Sequence, residues 1–318
     1  MVWVSLVLLY GVLKGVREIL KKKALGRNTV MEVLLMYTFL SFLIVLPTAP
    51  KAGGMEPVQY GYVAIKSFVI FLAWLCSFHA LSSMPVSLYG VLDLSRVIFS
   101  TVLGIVFLHE SMPVPRIIGF VLVCIGLYAL RGLKNREKKE KKREASENDD
   151  STTVERSLSK EERPSAQRFW GRLLASPTIV VILAFLSSLL NGISGTMDKV
   201  LMKRMNESQL QFWYMLFLVL YYMIYIVLTR TKLHLLSMIL NGWIWLLSIA
   251  FVIADRALFV ANSYPESEVT VMTLLKQAGC VVTIIGGKVF FQEKQIKYKL
   301  CCAAIIIAGI VVAVLPFG

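Results

Sequence analysis

Asp93 and Arg96 stand three residues apart inside the apolar run LYGVLDLSRVIFS, and Lys276 stands inside VMTLLKQAG. A charge held in hydrocarbon costs about 2.5–3.5 kcal/mol on insertion scales, so such residues face a cavity or a partner. Shifting the chain by 183 lays Asp93 on Lys276. An acid and a base at equivalent places of an internal repeat can meet only near the axis that relates the copies. The expectation is that Asp93 and Lys276 pair across a central cavity, with Arg96 nearby as excess positive charge. Two roles stay open for that pair: a part in gating or substrate binding, and a structural ion pair that fixes the two copies.

A second set lies in GVLKGVREILKKKAL and GISGTMDKVLMKRM. Lys14 and Arg17 share a helical face at i, i+3, and Glu18 lies four residues after Lys14. Asp198 and Lys199 occupy the matching stretch, and Gly11, Gly15, Gly192 and Gly195 leave the backbone open to a neighbour or ligand. Asp255 and Arg256 are adjacent, so they point apart on a helix, and one of them can face the cavity. The candidate substrate-binding residues are therefore Asp93, Arg96, Lys276, Lys14, Arg17 and Asp255. Glu18, Asp198 and His79 are candidates for proton coupling; for His79 a packing role is the competing reading. Lys21, Lys22, Lys23 and Lys203 are expected to snorkel to the interface.

Glu110 and Glu293 are expected to serve the N-terminus of the span that follows each of them, where negative charge is favourable. Ser100-x-x-x-Gly104 and Thr283-x-x-x-Gly287 are small-residue patterns in matching places and argue close helix packing. Enzyme chemistry finds no foothold: there is no HExxH, no Cys/His cluster, no phosphate-binding glycine loop and no nucleophile elbow. No metal site or cofactor is expected. The five cysteines, Cys76, Cys124, Cys280, Cys301 and Cys302, all fall in apolar runs and read as small apolar residues.

The elements that must hold these charges are membrane spans. The chain is 57% hydrophobic and only 17% charged, with a mean hydropathy of +0.68. Ten stretches come near the roughly 20 apolar residues that a span needs: 2–20, 30–48, 60–82, 86–108, 114–131, 175–198, 209–229, 236–260, 267–291 and 299–317. The first is expected to stay, since it lacks a basic leader and ends in Lys21-Lys22-Lys23. The predicted fold is an all-α integral membrane protein of ten transmembrane helices, arranged as two five-helix repeats. A shift of 180 lays Gly15 on Gly195, Glu18 on Asp198 and Met84-Pro85 on Tyr264-Pro265. Five crossings reverse the chain, so the second copy must be inverted. Inverted repeats point to a secondary transporter with its site near midplane between the copies.

The repeats are expected over 1–131 and 173–318, joined by a charged, solvated linker over 132–172. The net charge of +14 resides largely in loops, where it sets topology, and no nucleic-acid partner is expected. With both termini outside, cytoplasmic loops hold 22 lysines and arginines against 4 outside. The lipid bilayer and a small-molecule substrate are the expected partners, and the cell membrane the expected place.

The stretch ALSSMPVSLYGVLDLSRVIFSTVLGIVFLHESMPVPRIIGFVLVCIGLYAL resembles the end of an EamA domain of the drug/metabolite transporter superfamily. It carries the small-residue and proline turn at Ser82 to Pro85, Glu110 at the end of the fourth span, and Gly119 and Gly126 in the fifth. The second copy repeats the pattern with Glu293 and Gly309. The resemblance implies a ten-helix transporter that moves small metabolites by alternating access through a central cavity; Asp93 and Arg96, standing where the family is often apolar, point to a polar or charged one. A flippase or accessory subunit for a lipid-linked substrate is the alternative, and a non-transporting sensor using the linker as a docking tail a third. The resemblance also implies cytoplasmic termini, against the loop charges.

Overall fold

The computed structural model describes residues 2–108, 114–129 and 176–314, apart from 232, 265, 266, 268–271, 274 and 294. All regular structure among them is helical. In chain order the helices are α1 (Val2–Leu25), α2 (Val30–Val45), α3 (Pro57–Ser83), α4 (Val86–Leu92), α5 (Arg96–Leu108), α6 (Val114–Ala129), α7 (Pro177–Leu201), α8 (Glu207–Thr229), α9 (Leu235–Leu240), α10 (Gly242–Ser263), α11 (Ala278–Phe291) and α12 (Ile296–Val314). Among the described residues five stretches are long and apolar enough to cross a bilayer: Val30–Lys51, Pro57–Ser83, Thr178–Leu201, Glu207–Thr229 and Gly242–Ser263. The expected linker and Glu110 lie outside the described residues.

Local chemistry sets the helix ends. Thr29 and Glu32 form a reciprocal capping box at the start of α2, as Asn206 and Gln209 do for α8. Pro57 and Pro177 occupy first helical positions, where a missing N–H costs nothing. The fourth expected span is not continuous. A 3-10 turn over Asp93–Ser95 separates α4 from α5. A turn at 276–277 likewise precedes α11. Both breaks carry a charged residue, Asp93 in one and Lys276 in the other. Irregular backbone at membrane depth is tolerated where it is buried in protein or lines a cavity.

The two halves pack through each other. α1 lies against α10 and α11, while α3 lies against α7 and α8. α2 contacts α8 and α10, α5 contacts α7, α4 contacts α11, and α6 pairs with α12. The α1–α11 contact is made through glycine. A Cβ on Gly15 would stand 2.4 Å from the Gly279 carbonyl oxygen, and one on Gly279 would stand 2.3 Å from that of Gly11. The backbones therefore touch, as in close small-residue crossings. Thr283 presses on Gly90 in the same way, so the expected small-residue pattern packs α11 on α4. Tyr37, Trp74 and Phe251 form a ring cluster with all three centroid separations at 5.1 Å. Val227 and Leu228 on α8 and Val106 on α5 point outward, as lipid-facing residues do.

Loops are tied in a particular pairing. The turn after α1 is held to the α9–α10 junction: the Asn241 amide donates to Asn28 Oδ1 at 2.7 Å, and the Asn28 amide donates to Ser237 Oγ at 2.9 Å. The turn after α2 is held to the start of α8 instead: Gln209 Nε2 donates to the Gly53 carbonyl and Trp213 Nε1 to that of Ala52.

Glu293 does serve a helix N-terminus, but that of α4 in the other half rather than that of α12, which follows it. Its carboxylate accepts from the Val86 N–H at 2.6 Å, from the Ser87 N–H at 3.2 Å and from the Ser87 hydroxyl. Lys299, buried at 1% exposure, closes the cluster at 3.3 Å from Glu293 and 2.7 Å from Ser87 Oγ. The α3–α4 corner brings the exposed N–H groups within reach, which chain proximity alone does not reveal. Glu293→Gln should lower stability by about 3–5 kcal/mol, because an amide keeps one acceptor but leaves the buried Lys299 unneutralised. Thermal unfolding in detergent reads it, and Lys299→Met in the same chain should recover part of the loss.

Two further lysines cap helix C-termini. Lys22 donates to the carbonyls of Leu81, Ser82 and Met84 at 2.6, 3.1 and 2.9 Å. Lys199 donates to those of Asn262 and Tyr264 at 3.1 and 3.2 Å. Each satisfies carbonyls that the helix itself leaves open. Lys22 is thus a corner clamp, not a snorkelling side chain.

Candidate functional site

α1, α3, α4, α5, α7, α8 and α10, together with Met272, Thr273 and Lys276, line a central cavity of about 80 Å³. Its walls are charged. Lys14, Arg17, Glu18 and Lys21 reach it from α1, Lys66 from α3, Arg96 from α5, Asp198 from α7, Asp255 from α10 and Lys276 from the break before α11. A helix that is apolar elsewhere places these groups at membrane depth only because other helices supply their counter-charges.

The pairing differs from that expected. Asp93 is held by Lys14 at 2.5 Å and by Arg96 at 2.9 Å, and Ser188 Oγ donates to it at 3.5 Å. Lys276 is not its partner. The reason is the glycine crossing: Gly11 and Gly15 press α1 onto the segment around Lys276 and Gly279, and Lys14 between them reaches the Asp93 carboxylate first. Lys14 also donates to Gln277 Oε1 at 3.5 Å, so it ties α1 to both breaks. Among the described residues Lys276 has no carboxylate within ion-pair distance; its ammonium lies 5.6 Å from the Tyr10 ring centre.

The other charges form pairs between helices. Arg17 meets Asp255 at 3.3 Å, with its guanidinium 4.9 Å from the Phe251 ring and 5.4 Å from that of Tyr10. The Tyr214 hydroxyl donates to the second Asp255 oxygen at 2.6 Å. Asp255 therefore faces the cavity, while Arg256 turns away to Glu207 at 3.1 Å. Lys66 stands 3.0 Å from Asp198 Oδ1 and 3.9 Å from the Tyr214 ring centre. That contact is an ion pair without hydrogen-bond alignment, since Asp198 Oδ1 has no hydrogen-bond donor. Lys21 meets Glu18 at 2.8 Å and lies against the Phe78 ring at 5.1 Å.

Most of the residues singled out in the sequence thus come together. Lys14, Arg17, Glu18, Arg96, Asp198, Asp255 and Lys276 line the cavity, and Asp93 sits immediately behind Lys14 and Arg96. His79 does not join them. Lys21 is buried in the cavity wall rather than snorkelling, because Glu18 one turn earlier neutralises it. Lys203 is exposed, as expected. Lys23 packs among the rings of Trp243, Phe290 and Phe291. Lys66 was invisible to the repeat comparison, since a shift of 180 lays it on Leu246. A lone lysine ten residues into an apolar helix of 27 is itself the signal that would have found it. Of the repeat glycines, Gly15 meets a neighbour, whereas a Cβ on Gly195 would have nothing within 4 Å and faces the cavity. No group of three or more His, Cys, Asp or Glu side chains that could hold a metal occurs among the described residues.

Residues 1–132 match the EamA-like transporter family. No curated protein matches the chain. A solved structure described as "Crystal structure of protein" superposes with a TM-score of 0.59 at 12% identity, over 96% of this chain and 98% of the other. That likeness is one of fold alone. With the family match and the long apolar helices, the chain is a multi-pass membrane protein.

Proposed function

We propose, from the match of residues 1–132 to the EamA-like transporter family, that the chain is a secondary transporter or exchanger of a small polar or charged metabolite, of the drug/metabolite transporter kind. In this reading 1–131 and 173–318 are two inverted five-helix repeats in the cell membrane, and the charged cavity between them is the substrate site. The observation that carries it is the convergence of nine lysine, arginine, aspartate and glutamate side chains from both halves on the cavity, since charged groups at membrane depth mark substrate or ion pathways.

The loop ties support the inversion. The first turn of the first half is bonded to the region after α8, and its second turn to the region around the start of α8. Copies related by translation would put first turn beside first turn. The packing is also reciprocal: α1 on α10 answers α7 on α3, and α1 on α11 answers α7 on α5. The two helix breaks sit at matching places, as in transporters whose sites are built from discontinuous helices.

Alternating access follows in outline. The cavity is far below the roughly 300–1,000 Å³ of open small-molecule sites, so its own ion pairs fill it here. Substrate would exchange some of these internal pairings for its own, and the two halves would rock about the site. The family is one of transporters, and enzymatic chemistry has no part in this reading. Purified protein in liposomes, offered a metabolite panel with and without a pH gradient, should give saturable flux of at least one small polar solute. Saturable flipping of a lipid-linked sugar without soluble flux would replace this reading with the flippase.

A further inference from the structure

We infer that the cavity is built for a small organic dianion, one bearing carboxylate or phosphate groups, with Lys276 as the cation that its acidic group engages. The inference rests on the transporter reading for the movement of that ion, but not for its binding.

The first argument is charge. Six cations stand at the cavity: Lys14, Arg17, Lys21, Lys66, Arg96 and Lys276. Four carboxylates answer them among the described residues: Glu18, Asp93, Asp198 and Asp255. Arg17, Lys21 and Lys66 have one carboxylate each. Lys14 and Arg96 share Asp93, which leaves one charge over, and Lys276 has none, which leaves a second. An excess of two positive charges in a low-dielectric space is costly unless a ligand neutralises it. A dianion does so fully. A monoanion leaves one charge, a zwitterion leaves both, and a cation adds to them.

The second argument is hydrogen bonding. Three buried donor nitrogens on lining side chains have no acceptor: Arg17 Nε, Arg96 Nε and Asn262 Nδ2. Buried donors are ordinarily satisfied, so each exception asks what it awaits. With Lys276 they make the unfilled capacity of the cavity mainly one of donors. The acceptors left open, Glu18 Oε2 and Asp198 Oδ1, belong to carboxylates that Lys21 and Lys66 already engage. Lys276 and Arg17 flank the same Tyr10 ring, so one small molecule can span them. Carboxylate and phosphate oxygens are the acceptors that such charged donors hold best.

The test is thermal unfolding of the full-length protein in detergent with succinate, glycerol 3-phosphate, propionate, alanine and choline, each at matched ionic strength. Binding to the folded state raises the unfolding temperature by mass action. The two dianions should stabilise most, propionate less, and alanine and choline least. In Lys276→Gln the excess falls to one charge, so dianion affinity should fall about tenfold or more and the lead over propionate should narrow. Lys276→Arg should keep the dianion preference. Alanine or choline ranking first would overturn the inference, as would a Lys276→Gln protein with an unchanged ranking. If that variant does not fold, the wild-type ranking decides alone. Liposome flux separates the two readings: dianion binding without flux sinks transport and keeps the site, whereas flux confined to zwitterions or cations keeps transport and sinks the dianion.

Discussion

Replacing Asp93 by alanine should abolish accumulation of folded protein or reduce it severely. The carboxylate answers two cations at once, Lys14 at 2.5 Å and Arg96 at 2.9 Å, and it is 5% exposed. Without it both cations remain in low dielectric with no counter-charge. Removing one partner of a buried pair costs about 3–5 kcal/mol, a large share of the roughly 5–15 kcal/mol that holds a typical folded protein together. Lys14→Gln combined with Asp93→Asn restores the net charge of the triad to that of the parent and should recover part of the loss. Fluorescence-detected size exclusion measures the folded fraction, and a double-mutant cycle in detergent measures the coupling. The cycle between 14 and 93 should show strong coupling, and the cycle between 93 and 276 near additivity. The opposite pattern would mean that the cavity is wired as the repeat alignment alone suggested.

Gly279→Ala should be nearly as damaging, for a steric reason. The added carbon would stand 2.3 Å from the Gly11 carbonyl oxygen and 3.0 Å from the Gly15 nitrogen. Both are backbone atoms, so no side-chain rotation relieves the clash, and α1 must move away from α11. The expected cost is about 3 kcal/mol, the upper end of ordinary overpacking. Displacing α1 also draws Lys14 off Asp93, so the two effects compound. Gly195→Ala is the control: although a shift of 180 lays Gly15 on Gly195, a Cβ there meets nothing within 4 Å, and its unfolding temperature should be no lower than the parent's.

These two variants mark where the sequence was legible. Intramembrane charges stand out against apolar runs because they are costly, so Asp93, Arg17 and Lys276 declare a cavity before any coordinate is known. The glycines at 11 and 15 announce a close approach for the same kind of reason. Which charge meets which is a different matter. A shift of 183 lays Asp93 on Lys276, but correspondence in sequence is not contact. Lys14 intervenes because glycine packing, a sub-ångström matter of backbone approach, wedges α1 between them. Lys21 looked like an interfacial lysine because two more follow it; its burial depends on Glu18 lying one turn back and on Phe78 from α3. Glu293 was legible as a cap, but the Val86 N–H it accepts from is 207 residues away in sequence and is brought to it by the packing of α4 on α11. The discontinuity of the fourth span at Asp93–Ser95 was also unseen, since LYGVLDLSRVIFS reads as one apolar run with two interruptions.

If the charged cavity is a transport site, it opens in turn to each side of the membrane. A cysteine at Gly195 tests it most directly, because that position lines the cavity and has room for a side chain. The variant Gly195→Cys is made in a chain whose five native cysteines are replaced, then labelled with a small membrane-impermeant thiol reagent in right-side-out and inside-out vesicles. Labelling from both sides is expected, slowed in both orientations by a transported solute. Labelling from one side only, under every solute and pH condition, would contradict it.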